Sequence, residues 1–246
     1  MSDMLPILTN HRRVTPEIMD GSDITESAHL SALDGLRRIN RASNTVHYMM
    51  KPIIALARRE NLKRISMLDV ACGGGDVPIG VVAAAQNAGV EIDLTLLDRS
   101  ATALRNAAAA AEQAGVACRC VQADWLTENQ QRSFDVVTCS LFLHHIPEPA
   151  QVIEFLTKMQ AMARRQVVIS DLRRSRSGFV IAWIGTRLLS RSPVVHYDGP
   201  VSVRAAWTIR ELAGFAARAR MNGVHVHRCW PWRMLLVWER MGANTA

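Results

Sequence analysis

In the run Met67-Leu68-Asp69-Val70-Ala71-Cys72-Gly73-Gly74-Gly75-Asp76, an apolar segment ends in an acid and then opens into three consecutive glycines. Glycine lets the backbone turn tightly and lets a ligand approach the main chain without meeting a Cβ. The residues before the glycines have strand character, and those after them, 76–87, read as a helix. A turn between a strand and a helix sits at the carboxyl edge of a parallel sheet, where open α/β proteins bind ligands.

The same rhythm extends outward. Strand-like runs at 65–70, 92–97, 117–122, 134–142 and 166–171 alternate with helix-like runs at 76–87, 100–113 and 148–164. Ser100 is placed to cap the second helix, and the Ala107–Ala111 run inside it favours helix. Strands alternating with helices of about 10–15 residues predict a parallel sheet covered on both faces. Upstream, Leu30, Leu33, Leu36 and Ile39 recur at helical spacing, and a second helical stretch spans 43–61, with a kink or break expected at Pro52. Residues 1–22 are polar and turn-rich, hence poorly ordered unless docked on the body. After Asp171 come Arg173, Arg174 and Arg176, an apolar segment at 178–189 and a polar loop at 190–202. A helix near 208–220 follows, then strands at 224–230 and 233–239, joined so tightly at Pro231-Trp232 that they must be antiparallel. The expected organisation is an N-terminal helical cap over 1–62 and one domain over 63–240 carrying a lid insert at 173–206.

A chain of 246 residues can bury one sizeable core. Its net charge of +7 permits an anionic partner without demanding one, and only Lys51, Lys63 and Lys158 are lysines. The five cysteines, Cys72, Cys118, Cys120, Cys139 and Cys229, form no paired-CxxC array and read as buried free thiols of a reducing compartment. The first fifteen residues lack a secretory pattern, and no uncharged apolar run reaches the roughly 18 residues of a membrane span. A cytoplasmic protein is the expectation.

Chemistry-bearing residues fall at successive strand ends. Asp69 and the glycines close the first strand, Asp98 the second, in Leu96-Leu97-Asp98-Arg99, and Asp124 follows the third, in Gln122-Ala123-Asp124-Trp125. Ser140 and the pair His144-His145 lie at or beyond the end of the fourth. An acid ending the second strand can accept both hydroxyls of a ribose. An acid after the third can accept the amine of adenine, with Trp125 near the ring face. A dinucleotide loop would place a third glycine where Pro78 stands, and Asp69 puts an acid in front of the loop. That carboxylate disfavours a pyrophosphate and favours an ammonium or sulfonium group. The ligand is therefore read as an adenosine with a positively charged tail, S-adenosylmethionine in preference to NAD.

Over residues 60–172 and 205–240 the chain resembles the class I S-adenosylmethionine-dependent methyltransferases. The resemblance implies a doubly wound, mostly parallel, seven-stranded Rossmann-like sheet with an antiparallel last strand. It implies that Asp69, Cys72, Gly73 and Gly75 hold the methionine portion, Asp98 the ribose and Asp124 the adenine amine, with Ala71, Arg99, Ala123, Trp125 and Ser140 also among the cofactor-binding residues. Ala71 departs from the family, whose loop carries glycine there. The stretch from Phe134-Asp135-Val136-Val137 to Leu143-His144-His145-Ile146 is similar to methyltransferases of the ubiquinone/menaquinone-biosynthesis type and to those that methylate phenolic lipids.

There is no Asn/Asp-Pro-Pro-Tyr/Phe motif of amino-directed nucleic-acid methyltransferases, and Cys139 precedes Ser140 where a Pro-Cys nucleophile would be needed. The expected reaction is methylation of an oxygen, in preference to a carbon, of a small lipophilic phenol or quinol. His145 or His196 takes the proton, His144 points elsewhere, and no metal is expected. An RNA methyltransferase and a non-catalytic cofactor-binding subunit are the alternatives, and a nucleic-acid partner is not expected. The apolar insert (Phe179, Val180, Ile181, Trp183, Ile184, Leu188, Leu189) reads as a substrate wall, a homodimer contact or a peripheral membrane contact.

Overall fold

A computed structural model describes residues 11–21, 24–125 and 132–240. Two helices, α1 (Glu26–Ala42) and α2 (Thr45–Arg59), precede the alternation β1 (Arg64–Val70), α3 (Asp76–Asn87), β2 (Glu91–Asp98), α4 (Ala101–Gln113), β3 (Cys118–Gln122), β4 (Phe134–Ser140), α5 (Pro149–Met162) and β5 (Ala163–Leu172). Then come α6 (Arg176–Leu189), α7 (Pro193–Ala205), α8 (Ile209–Arg218), β6 (His225–Cys229) and β7 (Arg233–Glu239).

The strands form one seven-stranded sheet in the order β3-β2-β1-β4-β5-β7-β6. β1 to β5 are parallel, and β7 inserts antiparallel between β5 and β6. The strand order reverses between β1 and β4, so the loops leaving these two strands diverge and open a crevice at the carboxyl edge. Alternation along β1 divides its side chains between two cores. Leu68 and Val70 pack with α5 and α8, while Met67 packs on the opposite face with α2, α3 and α4. Ser100 caps α4 by accepting the Ala103 N–H, and Thr208 with Glu211 forms a capping box on α8.

Several expectations are corrected. Residues 193–205 form α7 rather than a polar loop. Gly199 and Pro200 mask its helical pattern, and its buried Val194 and Val195 pack with Ala32 of α1. Of the kink or break expected at Pro52, the break is absent: α2 runs through it, with Met49 and Ile53 buried beside it. Cys118 is half-buried and Cys120 exposed, so burial holds only for Cys72, Cys139 and Cys229.

The helix α1 packs on α6 and α7, and α2 on α3 and β5. Residues 11–21 dock on this body. The Arg12 guanidinium stacks 3.5 Å from the Trp207 ring centroid and donates to the carbonyls of Ala205, His144, Ile146 and Pro147. Burial, with Arg174 nearby, pushes the pKa of Arg12 down to about 10. The buried carboxylate of Asp198 on α7 accepts the N–H groups of Ile18 and Met19, at 2.8 and 3.0 Å. No helix among the described residues is long and apolar enough to cross a membrane. The outer face of α6 exposes Val180, Trp183 and Ile184, and Leu188 at 79%.

Candidate active site

A cavity of about 1180 Å³ opens at the carboxyl edge, lined by the loops after β1, β2, β3 and β4 and by α1, α6 and α7. Backbone bonds lace the first three loops together: Cys72 N–H donates to the Leu97 carbonyl, Gly75 N–H to Cys72, and Ala123 N–H to Asp98. The Asp98 carboxylate does the same from its side chain. One oxygen accepts the Gly73 N–H at 2.9 Å and the other the Ser100 N–H at 2.8 Å.

Ala71, Cys72, Gly73, Asp98, Arg99, Ala123, Asp124, Trp125 and Ser140 all line the cavity, as does His145. Asp69, Gly75 and His196 do not. Gly75, at φ +74°, has no room for a side chain, since a Cβ would meet Ala107 Cβ at 2.9 Å; it lets α3 pack against α4. His196 Nε2 is bonded to the Ser190 carbonyl at 2.8 Å, which ties it to its own segment. Asp69 is buried beneath the loop, where Thr138 donates to Oδ1 at 2.5 Å while Oδ2 has no partner. Burial pushes its pKa up to about 7 against the effect of the Thr138 bond, with Asp76 and Asp98 adding to the rise. Burial also pushes the Cys72 thiol up, so it stays protonated.

The loop turns at Ala71 with φ +54°, a left-handed conformation that penalises a Cβ by roughly 1–2 kcal/mol. We expect Ala71→Gly to stabilise the fold by about 0.5–1 kcal/mol, after the greater flexibility of glycine in the unfolded chain is counted. Chemical denaturation checks this; an unchanged or lower midpoint would show that the turn carries no strain.

Sequence reasoning missed five wall residues. Asn40 donates to Asp76 and accepts from Arg233, each at 2.9 Å, in a chain that crosses from α1 to β7. Arg233 is buried, its pKa pushed down to about 10 by that burial, and its Nη1 has no partner. His144, expected to point elsewhere, lines the cavity with Glu17 of the docked N-terminal segment. The 3-10 turn Leu143–His145 sets this orientation, and the buried Asp171 holds it. Asp171 Oδ1 lies 2.7 Å from His144 Nδ1, and its Oδ2 accepts the His144 N–H. Burial alone would push the Asp171 carboxyl up, but His144, the Leu172 N–H and His145 together hold it below the ordinary range. The His144 and His145 rings lie 4.3 Å apart, and Phe142 packs on His145.

Residues 61–196 match the model of a methyltransferase domain family. The chain is 32% identical over 159 residues to the ubiquinone biosynthesis O-methyltransferase of Ralstonia nicotianae, covering 63% of this chain and 62% of that protein. The protein of the same name from Pectobacterium atrosepticum is 30% identical over 172 residues, 68% of each chain. The match to the relative from Methylococcus capsulatus, 33% identical over 125 residues, spans half of each chain. In fold, the protein is similar to the plantazolicin methyltransferase BpumL in complex with SAH, with a TM-score of 0.65 at 12% identity over 88% of this chain and 92% of that one. It is also similar to the magnesium protoporphyrin IX methyltransferase of Synechocystis with bound SAH, with a TM-score of 0.55 at 16% identity over 91% of each chain. Sheet order, the loop geometry at the switch point and the domain match agree: the chain belongs to the class I S-adenosylmethionine-dependent methyltransferases.

Proposed function

We propose that the protein transfers a methyl group from S-adenosylmethionine to a hydroxyl oxygen of a small lipophilic phenol or quinol. The wall fits the cofactor. A Cβ on Gly73 would meet nothing within 4 Å, so the main chain there is open to a ligand. Asp98 has lone pairs left after its two backbone bonds, enough to accept the ribose hydroxyls. Asp124 and Trp125 line the same cavity and would take the adenine. The unpartnered Nη1 of Arg233 is a donor suited to the carboxylate of the methionine end. When bound, S-adenosylmethionine supplies an electrophilic methyl on a sulfonium.

The observation that carries this reading is that one cavity joins these loops to a second group of residues. Glu17, His144 and His145 supply polar atoms, while Phe142, Ile181 and Leu189 supply an apolar wall. An acceptor hydroxyl held among the polar atoms can lose its proton there, and its hydrocarbon part is desolvated by the wall. Of the two candidate histidines, His145 lines this cavity and His196 does not. The ubiquinone biosynthesis O-methyltransferases among the relatives support an oxygen acceptor of this class.

The test is a methyl-transfer screen with labelled S-adenosylmethionine over alkylated phenols and quinols, each product mapped by mass spectrometry. We expect a single methyl on a ring oxygen. Transfer to RNA alone, or to no acceptor despite cofactor binding, would sink the reading.

A further inference from the structure

We infer that Glu17, His144 and His145 form a three-ligand site for a divalent transition-metal ion, zinc being the best match. The inference deepens the reading above, on which it rests for its purpose.

One ligand atom from each of the three side chains lies within 4.8 Å of the others. Glu17 Oε1 and His144 Nε2 are 3.7 Å apart, too far for a hydrogen bond. Two ligands each about 2.1 Å from one ion stand about that far apart when they subtend an angle of about 120°. The orientation points the same way. With its Nδ1 turned to Asp171, His144 presents Nε2 to the Glu17 carboxylate across a buried gap. An ion between them would bond to both.

Both ligands are also held from behind. Asp171 fixes the tautomer and ring of His144, the carboxylate–histidine arrangement that supports metal-bound imidazoles. Ser202 donates to Glu17 Oε1 at 2.6 Å, while Asp198 pins the two residues that follow Glu17. Two imidazoles and a carboxylate suit zinc and its neighbours better than magnesium or calcium, which take oxygen ligands. Three protein ligands leave a coordination position, and all three residues line the cavity. The acceptor hydroxyl oxygen can occupy that position, its proton passing to water, and it is held there as the anion. None of the three side chains then acts as the base.

The experiment uses the full chain without added histidines, stripped by a chelator and titrated with Co(II) and with Zn(II) alone. We expect one equivalent of Co(II) to bind with visible d–d absorption, and Zn(II) to displace it. Glu17→Gln and His145→Asn should each weaken Zn(II) binding by at least about 100-fold, and Asp171→Asn by about 10–100-fold. S-adenosylmethionine affinity, measured in the same samples, reports folding and should be retained in Glu17→Gln. Absence of stoichiometric binding, or equal binding in Glu17→Gln and His145→Asn, overturns the site. If the cofactor still binds, the methyl-transfer reading survives that result; if wild type binds no cofactor, that reading fails whatever the metal does.

Discussion

Asp98→Ala is expected to raise the dissociation constant for S-adenosylmethionine at least about 100-fold, with the fold intact by circular dichroism. Two effects add. The substitution removes an acceptor for the ribose, and it also frees the Gly73 and Ser100 N–H groups that the carboxylate now holds. Those bonds tie the loop after β1 to the loop after β2, so the wall loses its shape as well as a contact. A hydrogen bond to a charged group contributes about 1.5–3 kcal/mol, and about 2.7 kcal/mol corresponds to 100-fold. Asp98→Asn keeps one acceptor oxygen and should fall between the two. Calorimetry with both variants decides: affinity equal to wild type in Asp98→Ala removes Asp98 from the binding site.

Much of the architecture was legible because it depends on patterns local in sequence. The apolar run into Asp69, the glycines and the helix after them announce a βα turn, and the spacing of the later acids repeats it. The sheet and the antiparallel β7 follow, and most of the residues expected to hold the cofactor line one cavity. What was not legible depends on partners far away in the chain. Glu17 is one acid in a polar segment, and what places it is Asp198 gripping the next two backbone N–H groups. His144 and His145 are adjacent, so no periodicity says which faces the cavity. The 3-10 turn and a buried carboxylate 27 residues later bring both there. Asp69 was a different kind of miss. Strand alternation already put it on the face opposite Leu68 and Val70, beneath the loop rather than on the wall.

That position makes Asp69 the source of an unusual pH dependence. Its carboxyl is buried, with one oxygen satisfied by Thr138 and the other by nothing, and burial raises its pKa to about 7 from the ordinary 3.8. Below the ordinary value both states hold the proton, and the favourable protonated form is fully present. Between about 4 and about 7 the unfolded chain gives up its proton while the native state keeps it, so stability falls as pH rises. Integrated across that window, a rise of this size corresponds to about 4 kcal/mol. Carboxylates held below their ordinary range, such as Asp135 and Glu211, act with the opposite sign at lower pH, so wild type alone does not isolate the effect. The comparison with Asp69→Asn does. Asparagine keeps an acceptor for Thr138 and cannot ionise, so the variant should be about equal to wild type near pH 4 and more stable by about 2–4 kcal/mol at pH 8. Urea denaturation of both proteins across this range measures the difference. A gap that does not widen with pH would mean that Asp69 is ionised in the native state throughout, and that the loop above it rests on a charge.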